Sequence, residues 1–360
     1  MRILFVTRKF PPSVGGMELY SEELFNALVR KGAEVALFTP NPPIIGRPSA
    51  ASLLFFFVKA SICVVRNARK AEVILFGDAL LTPLAGIAKL SSRGNAATIV
   101  AAHGNDVYFA KKSGLAAAIY RAFLKQFARR VDLLIANSAD TQREAEALGF
   151  RHATRVPLAT QPVAISETPS PPEHAILFAG RLIHYKGLAW FITEVLPRTD
   201  SHIQLLVAGP PWDAEEMTAV NECPRARYLG SLSREALIRL RMQVIACVMP
   251  NLPPPIAKQN EGFGLSALES AAAGTPVVAS RLGGLVEAVV DNVTGFLIDP
   301  MDAAAFATCI NNIANWDPVR RQQFSAAARK TIAERFTWDR VASDYIAEFK
   351  HLAQSQRAAR

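Results

Sequence analysis

Cysteine is scarce in this chain, and what there is does not cluster. Cys63, Cys223, Cys247 and Cys309 lie far apart, with no Cys-x-x-Cys among the 360 residues. That spacing excludes a small disulfide scaffold and a zinc-ribbon type of centre. Cys63 and Cys247 sit in apolar runs and read as small core residues in a reducing compartment. There is no Asp-x-Asp pair and no short repeat. Long hydrophobic runs are also missing. The greasiest stretch, Ala50 to Val65, carries Lys59 in its middle and falls short of the ~18–20 uncharged residues of a spanning helix. The first residues, Met1 to Val6, run directly into a strand pattern without the h-region and cleavage site of a signal peptide. The expectation is a cytoplasmic protein that can touch a membrane from its inner face.

Negative charge is in short supply as well. Forty Lys and Arg face 31 Asp and Glu, a net of +9. The excess is not spread evenly: residues 1–160 hold 21 basic and 11 acidic side chains, and residues 161–360 hold 19 and 20. A nucleic-acid coat would not require that asymmetry, whereas one anion-facing domain would produce it. Half of the residues are hydrophobic and 20% are charged, so the chain buries sizeable cores, and its length suits two domains.

Short Val-, Ile- and Leu-rich runs alternate with helix-length segments. The pattern predicts strands at 2–7, 34–38, 73–76, 98–102 and 131–136. A second series falls at 175–179, 203–208, 226–229, 244–249, 276–280 and 296–298. Continuous apolar strands separated by helices mean parallel sheets covered on both faces. Between the two series, Gln161 to Glu173 holds four prolines and reads as a linker. The fold class is α/β, with two doubly wound domains.

Several strand ends carry polar or glycine-rich segments, where open α/β sheets bind ligands. After the first strand comes Gly15-Gly16 and a helix from Met17. This is either an anion cradle of backbone amides or a tight strand-to-helix turn. The fourth strand ends in His103-Gly104-Asn105-Asp106. His103 can bond a sugar hydroxyl, and Asp106 can orient it or cap the next segment. In the second series, Arg181 and Lys186 follow a strand, five residues apart. They form a two-cation clamp for a phosphate-rich group, or remain solvated charges. The densest signal is Glu261-Gly262-Phe263-Gly264-Leu265-Ser266-Ala267-Leu268-Glu269. Glu261 is expected in a loop and Glu269 on a helix, both facing one crevice. Gly262 and Gly264 would let amides meet an anion at the helix start. Gly262-x-Gly264-x-x-Ala267, with Glu287 beyond it, also fits a dinucleotide fingerprint. The Pro-rich loop from Pro250 separates it from its strand, so a nicotinamide enzyme is the weaker reading.

Taken in order, Gly15-Gly16, His103, Arg181 with Lys186, and the Glu261/Glu269 pair resemble the retaining glycosyltransferases of family 4, the glycosyltransferase group 1. Leu206-Val207-Ala208-Gly209, Gly283-Gly284-Leu285-Val286-Glu287 and Thr294-Gly295-Phe296 are similar to that family's second domain. The resemblance implies a GT-B fold: two Rossmann-like domains facing a cleft. Residues 1–165 would bind the acceptor, with a C-terminal helix (338–355) crossing back to them, and residues 173–337 would bind a nucleotide sugar. It also implies roles. Arg181 and Lys186 would hold the diphosphate, and Glu269 the ribose. Glu261 would hold the donor sugar, with backbone from Gly262, Phe263, Gly264 and Leu265. Gly15 and Gly16 would close onto the phosphate, and His103 would contact the transferred sugar. One place departs from the family: where many members carry Asn-Gly after the last strand of the first domain, this chain reads Val156-Pro157-Leu158-Ala159-Thr160.

The resemblance implies transfer with retention, through an oxocarbenium-like transition state. The leaving phosphate would take up the acceptor proton. With two cations and a helix end to meet the leaving-group charge, no metal and no cofactor is expected, and His103, Arg181, Lys186 and Glu261 are the expected catalytic residues. Glu261 as a covalent nucleophile is a second hypothesis. A UDP-sugar is the expected donor, ahead of a GDP-sugar. The expected acceptor is a saccharide or a lipid-linked one in cell-surface glycan or glycolipid synthesis. A catalytically inactive sugar-nucleotide-binding subunit is the alternative, and nucleic acid is not an expected partner. For the basic half, a helix over Lys111 to Arg130 would place Arg121, Lys125 and Arg129 on one face and Ile119, Phe123 and Phe127 on another. Lys59, Arg66 and Lys70 similarly line one face of the Phe55-Phe56-Phe57 segment. Both patterns suit an anionic membrane surface or a solvated face backing a buried one.

Overall fold

The computed structural model describes residues 1–13, 15–41, 49–163, 173–256 and 260–358. The chain divides into two compact units: Met1–Leu158 with Trp338–Arg360, and Ala159–Thr337. The division falls a few residues before the expected domain end at 165. Most of the Pro-rich stretch expected as a linker, residues 164–172, lies outside the described residues.

In the first unit, β1 (Arg2–Val6), β2 (Glu34–Phe38), β3 (Val73–Phe76), β4 (Ala97–Ala102), β5 (Leu133–Ala136) and β6 (Ala153–Arg155) form one sheet in the order β2-β1-β3-β4-β5-β6. Adjacent strands pair in parallel throughout this sheet. The central strands β3, β4 and β5 are buried at every residue, as a sheet covered on both faces requires. β6 is absent from the sequence expectation. It is three residues long, Ala-Thr-Arg, and lies at the sheet edge, where one side of the strand needs no apolar cover.

The final helix, Trp338–Ala358, belongs to this first unit. It packs along the helix Gly16–Arg30. The Tyr20 and Tyr345 hydroxyls meet at 2.5 Å. Arg30 donates to Asp339 at 3.0 Å, and Thr154 of β6 donates to Glu348 at 3.1 Å. Arg340 reaches the Pro157 carbonyl at 2.5 Å.

The expected helix over Lys111 to Arg130 is shorter, Leu115–Ala128, because Ser113-Gly114 interrupts the segment after a separate turn, Phe109–Lys111. Its buried stripe is Ala117, Leu124 and Ala128. Of the apolar face expected to carry Ile119, Phe123 and Phe127, Ile119 is exposed, while Phe123 and Phe127 are half-buried. Tyr120 and Phe123 pack against the core beside that stripe.

The second unit repeats the architecture. β7 (Glu173–Ala179), β8 (Gln204–Ala208), β9 (Ala226–Tyr228), β10 (Val244–Met249), β11 (Val277–Ser280) and β12 (Gly295–Ile298) run parallel in the order β12-β11-β10-β7-β8-β9. The core on one face joins Ile176, Phe178, Leu205 and Val207 to Phe191, Phe306 and Ile310. Chain direction along the sheet reverses between β7 and its neighbour β10, and the crevice outside the carboxyl ends of such a pair is where ligands bind in open α/β sheets.

Candidate active site

The loops after β7 and β10 carry the first cluster. Arg181 follows β7, and Lys186 closes the short turn His184–Lys186. Gly187 comes next with φ of 70°, a conformation that side chains rarely adopt. A Cβ there would fall 2.1 Å from the Pro250 carbonyl oxygen, so glycine is what allows the β7 loop to lie against the β10 loop. The contact is sealed by Leu252 N–H donating to the Tyr185 carbonyl at 3.0 Å.

Across that contact Lys186 forms a close ion pair with Glu261, and the two side chains are only 13% and 14% exposed. Burial pulls the Lys186 ammonium down, but the Glu261 carboxylate and Tyr185 together outweigh it, so Lys186 is held above the ordinary lysine range and stays charged at neutral pH. Arg181 lies close enough to oppose that shift. Its guanidinium stands over the Trp212 ring at 5.3 Å. The two expected clamp cations are therefore held differently, one by a carboxylate and one by an indole face.

Glu261 is carried by a loop that rests on Gly283-Gly284. Gly284 N–H donates to the Glu261 carbonyl at 3.1 Å. A Cβ on Gly284 would fall 2.3 Å from the Gly262 oxygen and 2.4 Å from the Phe263 Cα. Backbone cannot give way as a flexible side chain does. Gly284→Ala is expected to cost about 1–3 kcal/mol of stability through overpacking. It should also lower kcat/KM roughly 100-fold by displacing Glu261 by an ångström or so. Thermal unfolding and steady-state kinetics check both; a variant with wild-type kinetics would refute this packing role.

Glu269 lies on the helix Leu265–Ala272, as expected. Its ion-pair partner is not the one that holds Glu261. Its Oε2 accepts from Arg241 Nη2 at 2.5 Å, and the Arg241 side chain is 3% exposed. The pair borders a cavity of about 270 Å³ lined by Gln161, Pro162, Val163, Ile238, Arg241 and Glu269, among others, and not by Glu261. Eight residues of loop and helix thus give the two carboxylates different cation partners, Lys186 for Glu261 and Arg241 for Glu269. Phe263 is buried in the second unit, and Gly262, Gly264 and Leu265 bring backbone to the start of the helix. Among the described residues no strand stands immediately before the dinucleotide fingerprint: β10 ends at Met249 and the helix begins at Leu265.

The first unit holds its own cluster. The His103 ring Nε2 lies 2.9 Å from the Gly77 carbonyl and packs edge-on to Tyr20 at 4.4 Å. Asp106 binds backbone rather than the imidazole. It accepts from His103 N–H at 2.9 Å and from Ala79 N–H at 3.0 Å, tying the end of β4 to the loop after β3. The helix after β1 begins at Gly16, and Val14 lies outside the described residues. Beside Gly15 stands a carboxylate: a Cβ there would meet Glu18 Oε2 at 2.4 Å. Glu18 is itself paired with Lys9 at 3.0 Å.

Three side chains join these clusters without a signal in the motifs. Asn251 is buried beside Glu261, its amide 3.5 Å from the carboxylate. Its place just after β10 is where the strand-end rule would have found it. Arg241 lies on a helix ahead of β10, where nothing in the spacing marks it. Asp78 is fully buried after β3 and pairs with Arg8 at 2.8 Å. Burial pushes its carboxyl up against the pull of Arg8.

Two family descriptions match the chain. "Glycosyltransferase Family 4" matches residues 14–158, and "Glycosyl transferases group 1" matches residues 173–315. A glycogen synthase of Mycobacterium tuberculosis is 34% identical over 174 residues, covering 47% of this chain and 40% of that one. The chain thus spans less than half the length of the first curated relatives it matches. A GDP-mannose-dependent monoacylated alpha-(1-6)-phosphatidylinositol monomannoside mannosyltransferase of Corynebacterium glutamicum is 23% identical over 94% of this chain and 95% of its own. Among solved structures, HepE from Anabaena, in complex with UDP and glucose, superposes with a TM-score of 0.73 over 98% of this chain and 100% of that one, at 19% identity. This last likeness is one of fold, and the fold is the GT-B type expected from the sequence.

Proposed function

This chain belongs to the family 4 glycosyltransferases, and from that premise we propose that it moves a hexose from a nucleoside-diphosphate sugar to a saccharide or lipid-linked acceptor, with retention and without a metal. The observation that carries the reading is the Lys186–Glu261 pair beside Arg181, at the carboxyl ends of β7 and β10.

In the reaction the sugar–diphosphate C–O bond breaks as a new C–O bond forms to the acceptor hydroxyl on the same face. The acceptor proton passes to the leaving phosphate. Negative charge grows on that phosphate, so fixed positive groups aimed at it lower the barrier. Arg181 and Lys186 supply two charges, and the amides at the start of the helix Leu265–Ala272 supply a partial one. Those groups take the place that a divalent ion holds in other transferases. Glu269 accepts the ribose hydroxyls, with Oε2 already held by Arg241. Glu261 orients the donor sugar, with the backbone of Gly262 to Leu265 beside it. In the first unit, His103 contacts the transferred sugar, and Gly15 and Gly16 offer amides to the phosphate.

A UDP-sugar is the donor we favour. The UDP-bound HepE supports it, and the GDP-mannose-dependent relative makes GDP-mannose the alternative. A thermal-shift and turnover screen of UDP-, GDP- and ADP-sugars decides between them; the expected result is the largest shift with a UDP-sugar. Treatment with EDTA is expected to leave the rate unchanged. A rate lost to EDTA and regained with magnesium or manganese would overturn metal independence.

A further inference from the structure

The helix Ala50–Asn67 is mostly apolar, and among the described residues its outer side has no packing partner. Phe56, Ala60 and Val64 are buried, in one core with Leu4, Val6, Ile74 and Phe76 of the sheet. That stripe accounts for one face. On the opposite face Leu54, Phe55, Val58, Ile62 and Val65 are 47–68% exposed. At 100° per residue Phe55, Val58, Ile62 and Val65 fall on one side of the helix axis, and from Leu54 to Val65 they run about 16 Å. Scattered exposed apolar side chains are ordinary, but a contiguous stripe of this kind marks an interaction site. The helix runs two residues past the apolar stretch Ala50 to Val65 and, contrary to the expectation from sequence, is long and apolar enough to cross a membrane by length and composition alone. The buried stripe holds it flat on the sheet instead, so it presents an apolar side rather than its ends.

Charge says what the stripe meets. From Val35 to Ala71 the chain contains no Asp or Glu. Lys59 and Arg66 flank the stripe on one side, and Arg69 and Lys70 follow its end. The Lys59 ammonium stands over the Phe55 ring at 4.2 Å, so its stem covers apolar surface while its head stays at the rim, as snorkelling lysines do. Arg69 donates to the Ser91 carbonyl of the neighbouring helix, beside exposed Leu90. An apolar stripe with a cationic rim and no anion matches the boundary between acyl chains and anionic headgroups. A second copy of the chain fits poorly, because a two-fold contact would bring Lys59 and Arg66 against themselves with no acid from this segment between them.

We infer that the outer face of the helix Ala50–Asn67 is a docking surface for an anionic lipid bilayer, entered by Val58 and Ile62 and rimmed by Lys59 and Arg66. Of the two basic segments expected from the sequence, this assigns the bilayer to the one that carries Phe55 and Lys59 rather than to the helix Leu115–Ala128. It deepens the lipid-linked acceptor reading but does not need turnover, so the two can fail separately.

The test is flotation of the full chain with phosphatidylcholine vesicles, with and without phosphatidylglycerol. The chain is expected to float with the anionic vesicles. Val58→Asp with Ile62→Asp should lower that partition by roughly tenfold or more. The neutral pair Val58→Ser with Ile62→Ser should act in the same direction, with circular dichroism and thermal unfolding unchanged for at least one of the two. Lys59→Ala with Arg66→Ala should cost about fivefold per cation on anionic vesicles only. Three outcomes would overturn the inference. The first is no binding to anionic vesicles. The second is binding that survives the Val58 and Ile62 changes but is lost with Arg121→Glu and Lys125→Glu. The third is a solution dimer that the Val58 and Ile62 changes convert to monomer. Thermal shift by a nucleotide sugar in the same preparations reports separately on the donor reading.

Discussion

Lys186→Met is expected to lower kcat by about 100–1,000-fold, the range found when one preorganised electrostatic partner is removed from a site of developing charge. The same change should destabilise the protein, for a separate reason. Glu261 is 14% exposed and its carboxylate is held by Lys186. Taking the ammonium away leaves a largely buried carboxylate without its counter-charge, which costs about 3 kcal/mol. For a unit of this size that is roughly 6–12 °C in Tm. The double variant Lys186→Met with Glu261→Gln separates the two effects: a neutral amide needs no counter-charge, so most of the lost Tm should return while turnover stays low. A single Lys186→Met variant that keeps more than a tenth of the wild-type rate would remove Lys186 from the mechanism. The pH dependence follows from the direction of the shift. Lys186 is raised above its unfolded value, so its contribution to stability is fully present below the ordinary lysine range and is lost as pH rises through the folded pKa.

Glu269→Ala is expected to have the second-largest effect. Arg241 is almost entirely buried, its Nη2 donates to Glu269 and its Nε has no hydrogen-bond partner among the described residues. Removing the carboxylate strands a guanidinium that cannot shed its proton, at a cost of about 3–5 kcal/mol. Nucleotide binding should also weaken. A hydrogen bond to a charged acceptor contributes about 1.5–3 kcal/mol, so the Kd for the nucleoside diphosphate should rise roughly 10–100-fold. Glu269→Gln with Arg241→Met is the control: it should recover much of the thermal stability and leave the Kd weak. Calorimetric titration reads the binding. A Kd within a few-fold of wild type in Glu269→Ala would mean that the carboxylate serves Arg241 alone.

The strands were legible wherever they are buried on both faces, because such strands must be continuous apolar runs. β3, with Val73 to Phe76, and β10, with Val244 to Met249, stand where the runs place them. β6 was not legible, because an edge strand of Ala, Thr and Arg has no such run. On the helix Leu115–Ala128 the periodicity marked Phe123, which packs against the core, but not the fully buried Ala117 and Ala128, because small residues carry little signal in a hydrophobic pattern. At the site, Lys186, Glu261 and Glu269 were legible because they follow strand ends or stand between glycines. Arg241 and Asp78 were not, since their importance comes from a partner brought in by the fold.

Composition and order alone determined that this chain makes two parallel-sheet units, which strand ends carry polar chemistry, and that its positive charge belongs to the first unit. Those properties follow from local patterns: apolar runs, glycines, charges along a line. The tertiary structure decided which charges are paired, which carboxylate answers to which cation, and which side of an apolar helix is left without cover. Pairing and burial depend on distance in space, and a sequence records distance only along the chain.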